Sequence, residues 1–364
     1  MKEKNSGAGV IDYIEIYSSM AKPLAYWHTK ALGFSEIARA QGDEWIPGRI
    51  SYVLSSGEIR LVLTSEYPIL GKRSPDNEVG LFVNEHYCGV KKIALRVESV
   101  PDAFERAIKG GAFPIKFPAT AEDEFGSIEE ASIGFLGDSE IVFIDRKCYS
   151  GVFKPGFKPS VYRKPESGYL LQSIDHIASE VRINESRYWT NYLQKAIGTE
   201  LVQSIESGED NRTGMILNIS QGFNKKLTFV ISEPEPGNRQ SKVQENIDMF
   251  GPGIHHLAFS TDDMIRAIKE MSAMDVDFVS FPDAYYDLIR KCPEFDSIDL
   301  GILQEKGILI DKEGDGYLMQ KFIKAITERP FFIYELISRV DGYNGFALRN
   351  INMLKKAEEI QVMK

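Results

Sequence analysis

Apolar and polar positions alternate with a period of two along residues 172–181, which predicts a half-buried β-strand. Past it the apolar spacing widens to that of a helix running through about Ala196, with Asn184 placed to cap the first free amides. Three short β runs follow at Glu200–Ile205, Met215–Ile219 and Leu227–Ile231. The same order returns later, with a strand at 253–260, a helix at 262–274, and strands at 277–281 and ending at 316–323 and 330–339. Each unit is therefore a βαβββ module. The charged segment Asp283–Gly307 reads as a helical insertion in the last module, and the tail from Asn350 to Met363 has helical spacing that would let it close over one end. Gly251-Pro252-Gly253 reads as a turn before a strand and not as a phosphate loop, because no helix N-terminus follows it.

A search for internal repeats doubles this picture. Ile11-Asp12-Tyr13-Ile14, Tyr26-Trp27 and Ala31-Leu32-Gly33 return as Ile174-Asp175-His176-Ile177, Tyr188-Trp189 and Ala196-Ile197-Gly198, at offsets of 163, 162 and 165. Gly89-Val90-Lys91-Lys92-Ile93-Ala94-Leu95 matches Gly253-Ile254-His255-His256-Leu257-Ala258-Phe259 at an offset of 164, and an acid-capped helix follows both. The expected organisation is α+β, with homologous units at 1–150 and 171–364 joined by a linker at 151–170 rich in proline and glycine.

Composition narrows the partners. With 43% hydrophobic and 26% charged residues the chain of 364 has ordinary globular character. Its net charge of −10 argues against nucleic-acid and anionic-membrane partners, which want a basic face. A small anionic substrate stays compatible, since one local cation or metal outweighs a distant acidic surface. The first seven residues show no apolar leader core, and no uncharged run approaches the ~18 residues of a membrane span. Cys88, Cys148 and Cys292 are sparse, odd in number and without CxxC spacing, so free thiols and a cytoplasmic location are expected.

The candidate chemistry lies in few residues. Of five histidines, His176 and His256 stand at matched points of the first strands of two modules, where the N-terminal unit has Tyr13 and Lys92. Glu335 sits in the middle of the apolar run Phe331–Ile337, where an unpaired carboxylate would cost several kcal/mol to bury. Two imidazoles and a carboxylate from three strands make a facial triad suited to Fe(II), although zinc uses the same ligands. Taken singly, each residue also has an ordinary reading. His255-His256 could be a surface pair and Glu335 could pair with Arg339, while His28 and His86 are expected at the surface.

At these residues the chain resembles the 4-hydroxyphenylpyruvate dioxygenase family, which includes hydroxymandelate synthase, within the vicinal oxygen chelate superfamily. The resemblance runs along nearly the whole chain. It is carried by Gly251–Phe281 with Tyr285-Tyr286, by Gly307–Asp311 through Gln320 and Phe322, by Glu335-x-x-x-Arg339, and by Gly345-Phe346 with Asn350. It implies an open eight-stranded barrel in each half and a C-terminal closing helix. The site would lie in the second barrel, with Fe(2+) held by His176, His256 and Glu335, a 2-oxo acid chelating it and O2 as co-substrate. The implied reaction is oxidative decarboxylation with hydroxylation, either on the ring with a homogentisate-type product or at the benzylic carbon as in the synthase. Gln320 and Asn350 would take catalytic positions, and a homo-oligomer, dimer or tetramer, is expected.

The pocket departs from the family. His255 and Lys242 stand where glutamines occur (Gln244 is near the second), Ser232 replaces an asparagine, and Ile333 and Ile351 replace phenylalanines. Phe322 and Phe346 are kept. Lys242 could meet a substrate carboxylate or point to solvent. These changes imply a different aryl or branched 2-oxo acid, because lost ring stacking is worth ~0.5–1.5 kcal/mol per pair. Two other readings exist: an extradiol dioxygenase, and a non-catalytic binding protein of the superfamily. The first needs a further acid–base histidine, and His255 is expected to point away from His256 by strand alternation.

Overall fold

The computed structural model describes residues 11–41, 47–68, 77–160, 170–205, 214–236, 241–327 and 332–362. The N-terminal half runs β1 (Ile11–Ser18), α1 (Ala21–Ala31), β2 (Ser35–Gln41), β3 (Arg49–Ser56), β4 (Ile59–Glu66), α2 (Glu78–His86), β5 (Cys88–Arg96), α3 (Val100–Lys109), β6 (Pro114–Asp123), β7 (Gly126–Gly134), β8 (Glu140–Asp145) and β9 (Lys158–Pro159). The C-terminal half follows with β10 (Ile174–Glu180), α4 (Ser186–Ile197), β11 (Glu200–Ile205), β12 (Met215–Gly222), β13 (Leu227–Pro234), α5 (Lys242–Phe250), β14 (Gly253–Ser260) and α6 (Met264–Ser272). It ends with α7 (Asp283–Ile289), α8 (Leu300–Lys306), β15 (Leu309–Glu313), β16 (Gly316–Ile323), β17 (Ile333–Val340) and α9 (Leu348–Val362).

These strands make two curled, open half-barrel sheets, in the orders β6-β7-β8-β5-β1-β4-β3-β2-β9 and β11-β12-β13-β10-β14-β17-β16-β15. At the centre of the first, β1 and β5 are antiparallel, flanked by parallel β4 and β8. At the centre of the second, β10 and β14 repeat the arrangement with β13 and β17. The repeat in sequence is thus a repeat in topology.

Four local expectations change. The N-terminal sheet gains a ninth strand, because Lys158 and Pro159 from the linker pair with β2. Residues 277–281 form no strand beyond a bridge from Phe278 to Ile323, and the strand place goes to β15, past the insertion. That insertion is helical as expected, and the Lys321 ammonium on β16 ties its ends by donating to Val279 O and Gly307 O, both at 2.9 Å. Asn184 does not cap α4. It adopts a left-handed φ of 67°, and the Ser186 amide instead donates to the Glu233 carboxylate of β13 at 2.8 Å. Much of the linker, the first ten residues and Pro330-Phe331 lie outside the described residues.

The fourth change concerns His28 and His86, both buried, at 1% and 6% exposure. Helix α1 lays Leu24, Ala25, His28 and Ala31 on one buried stripe at helical spacing. This stripe packs into a core shared by both halves, where Phe34 meets Phe259 with ring centres 6.1 Å apart. His28 satisfies both nitrogens there, at 2.7 Å from Leu24 O and 2.7 Å from the Tyr334 hydroxyl of β17. His86 packs on Phe82 and lies 2.9 Å from the Asp138 carboxylate. Among the described residues no helix is long and apolar enough to cross a membrane.

Candidate metal centre and cavity

Register decides which side chains meet. His176 on β10 stands opposite Ala258 on β14, which stands opposite Glu335 on β17. His256 lies two residues along β14, opposite Ala178, so all five side chains share one face of the sheet. The two alanines leave room for the three longer side chains to converge. His176 Nε2 and His256 Nε2 lie 3.2 Å apart, and Glu335 Oε2 lies 3.1 Å from the first and 3.2 Å from the second.

That near-equilateral triangle has the shape of one face of an octahedron. An octahedral edge is the centre-to-ligand distance times the square root of two, so one point lies about 2.2 Å from all three atoms, close to metal–ligand bond lengths. Electrostatics agrees. Burial would raise the Glu335 carboxyl, but the two imidazoles pull it down to about 2. Burial would lower His176, yet Asp175 and Glu335 hold it up at about 9, whereas burial prevails at His256 and depresses it. An anion fixed between two imidazole nitrogens is a donor set that fits a divalent cation.

Each imidazole is held from behind through a β-bulge. Register slips at Asp175, between Ile174 and His176, and again near His255 on β14. A bulge re-aims a side chain that strand alternation would send away. At the first, the Asp175 carboxylate reaches His176 Nδ1 at 2.9 Å while accepting from Arg339 at 2.7 and 2.9 Å. At the second, His255 Nδ1 comes 2.7 Å from His256 Nδ1. The expectation that His255 faces the other way is therefore wrong. It lines the same cavity, with Nε2 at 3.8 Å from Glu180.

Glu335 has its own support. Its Oε1 accepts from the Gln320 amide at 2.8 Å, which leaves Oε2 to the imidazoles. Gln320 in turn accepts from Asn350, and Asn350 accepts from the Tyr285 hydroxyl, at 2.8 and 2.7 Å. Arg339 pairs with Asp175 and not with Glu335, and also donates to Gly345 O at 2.8 Å.

Above the triad opens a cavity of about 550 Å³. Ser232, Lys242, His255, Gln320, Phe322, Ile333, Phe346 and Ile351 all reach its wall. Asn350 does not; it is buried behind Gln320. Lys242 is exposed at the start of α5, and the Ser232 hydroxyl is turned to Ser179 O at 3.0 Å. Most of the remaining wall is aliphatic, from Leu217, Ile219, Val230, Leu318 and Ile337. Sequence reasoning missed Glu180 and Asn246, which meet at 3.0 Å on the polar side of the cavity. The signals were there: Glu180 lies four residues from His176, on the same strand face, and Asn246 one helical turn past Lys242.

Comparison with known proteins gives this arrangement its relatives. Residues 173–292 match the model of the Glyoxalase/Bleomycin resistance protein/Dioxygenase superfamily. The whole chain resembles a 4-hydroxymandelate synthase mutant from Streptomyces coelicolor, with a TM-score of 0.81 at 24% identity, covering 98% of this chain and 99% of that one. The fold is that of the vicinal oxygen chelate proteins. The chain is 30% identical to 4-hydroxyphenylpyruvate dioxygenase of Aspergillus fumigatus, over 96% of its own length and 91% of that enzyme. The enzymes of that name from Tetrahymena thermophila and Xenopus tropicalis are 28% and 29% identical, over 96% and 95% of this chain and 89% and 90% of theirs. The chain belongs to the 4-hydroxyphenylpyruvate dioxygenase family, and it is an enzyme of the dioxygenase class.

Proposed function

We propose that the protein is an Fe(II)-dependent 2-oxo acid dioxygenase, with His176, His256 and Glu335 holding the ion and a substrate other than 4-hydroxyphenylpyruvate. The observation that carries this is the triangle of donor atoms with 3.1–3.2 Å edges under a largely aliphatic cavity. When bound, the ion supplies a Lewis acid with free positions at which a 2-oxo acid and O2 can meet. The overall balance needs no further reductant. The 2-oxo acid loses CO2, one oxygen atom enters the new carboxylate, and the other hydroxylates the remaining side chain.

The chain's residues position and shield this chemistry. Asp175 accepts the Nδ1 proton of His176, fixing its free nitrogen on the cavity side, and the Gln320 amide orients the Glu335 carboxylate. The aliphatic wall excludes water from the substrate's side chain. Phe322 and Phe346 leave aromatic faces, while Ile333 and Ile351 shape the space for an aryl or branched body. His255, inside the cavity, lends some ground to ring cleavage of a catechol. Its Nδ1 is engaged with His256, however, and the family relationship favours the oxo acid.

O2 uptake and CO2 release by the iron-loaded protein, over a panel of aryl and branched 2-oxo acids plus catechols, test this directly. One oxo acid outside the 4-hydroxyphenylpyruvate type should be consumed with equal O2 and CO2, and mass spectrometry of its product should place the hydroxyl. Turnover of catechol alone, or of 4-hydroxyphenylpyruvate alone at a rate normal for an enzyme, sinks the reading.

A further inference from the structure

The bulge on β14 sets two histidines side by side. His255 is the extra residue in the register of β14 against β10, so its ring joins that of His256 in the cavity wall instead of facing the other way. The two rings meet edge to face with centres 5.0 Å apart, and the Nδ1 atoms lie 2.7 Å from each other. Two nitrogens so close share a single proton, because two N–H groups would collide and two lone pairs would repel.

The triad decides which ring owns that proton. His256 offers Nε2 to the donor triangle, 3.2 Å from Glu335 Oε2, so as a neutral ligand it carries its proton on Nδ1. His255 then presents a bare Nδ1 as acceptor and keeps its own proton on Nε2. Glu180 lies on that side, with Oε1 at 3.8 Å from His255 Nε2, too long for a hydrogen bond but within reach of its field. This carboxylate is buried, and the Asn246 amide of α5 donates to both its oxygens, at 3.3 Å to Oε1 and 3.0 Å to Oε2. Strand alternation brings it there. His176, Ala178 and Glu180 share one face of β10, and Ala178 stands opposite His256.

We infer that His255, backed by Glu180, is the positioning residue of His256: it accepts the Nδ1 proton of the ligand and so keeps Nε2 free toward the ion. The inference rests on the triad being the holder of that ion. Both imidazoles of the triad then lean on a carboxylate. Asp175 meets His176 directly, whereas Glu180 acts on His256 through one more ring. Orders of strength follow from the lengths of the two paths. Loss of the acceptor at 255 leaves the His256 N–H without its partner on the protein, and loss of charge at 180 only weakens that acceptor.

Zinc is the probe, since it takes the same ligands and has no redox chemistry of its own. In the zinc-loaded, full-length protein with 15N-labelled histidine, long-range proton–nitrogen spectra should show His256 protonated at Nδ1 and His255 at Nε2. By metal competition, His255→Leu should weaken zinc binding about 10–100-fold. His255→Gln, whose amide oxygen can accept the same proton, should recover most of that loss, and Glu180→Gln should fall between wild type and His255→Leu. Circular dichroism verifies each fold, and should His255→Leu not fold, the spectra of the wild type decide. The inference is overturned by a His255 protonated at Nδ1, by zinc affinity equal in wild type and His255→Leu, or by Glu180→Gln matching wild type, all of which leave the triad standing. A wild-type protein that retains no zinc and no iron overturns the triad as well.

Discussion

At the scale of single residues, Asp12 and Asp175 make an instructive pair. Asp175 holds Arg339 and touches His176; Asp12, its counterpart, holds Arg146 at 2.5 and 3.0 Å, with Arg96 and Arg60 nearby, and touches no imidazole. The aspartate–arginine clamp therefore exists without a metal-type site and serves the sheet in both halves. Asp12→Asn should cost about 3–5 kcal/mol in denaturant unfolding, as for a broken buried pair, and leave metal retention unchanged. Asp175→Asn should cost stability too, and also weaken metal binding about 10–100-fold in a competition assay. Equal metal affinity in wild type and Asp175→Asn would deny Asp175 its orienting role. His28 makes a pH statement. Burial pushes its imidazole from about 6.5 down to about 4, so between those values the unfolded chain takes up a proton that the folded chain refuses. Stability should fall as pH falls through that window, by on the order of 3 kcal/mol in all. Urea midpoints from pH 7.5 to 4.5 check this, and His28→Leu should flatten that part of the profile.

At the scale of elements, periodicity and repeat made the strands, the insertion and the three triad positions legible from sequence. What escaped were features set by register and by tertiary contact. The bulges that turn Asp175 and His255 toward the site insert one unpaired residue each, and nothing in the local alternation of apolar and polar residues announces them. The cap of α4 comes from Glu233, forty-seven positions downstream, where local rules point to Asn184. Glu233→Ala should cost about 1 kcal/mol, in the range of a lost helix cap, read as a lower denaturant midpoint. The pocket is shaped by two elements at once, since Ile333 lies on β17 and Ile351 on α9. The double change Ile333→Phe with Ile351→Phe should shift kcat/KM toward aryl over aliphatic 2-oxo acids by about 2–10-fold per ring, from stacking of ~0.5–1.5 kcal/mol. No change in that ratio would place those residues away from the bound side chain.

At the scale of the molecule, the proposed function makes folding depend on metal. Loading the protein with Fe(II) at a hundred to a thousand times its dissociation constant should stabilise it by about 3–4 kcal/mol, and a chelator should reverse the gain in a melting experiment. His28 was misjudged in sequence for a reason of the same scale: helix α1 packs it against its own sheet beside Phe34, and its second nitrogen finds its partner, Tyr334, three hundred positions away in the other half. That contact has a mechanical consequence. Tyr334 and Glu335 are successive residues of β17, so one strand presents a phenol to helix α1 on one side and a carboxylate to the imidazoles on the other. The N-terminal half acts as a splint for the carboxylate, and wear in the splint is felt as a misaligned joint. An accumulation of changes around Leu24, His28 and Phe34 would misplace Glu335, and weaken any metal held by the triad, without touching an atom of the triad itself.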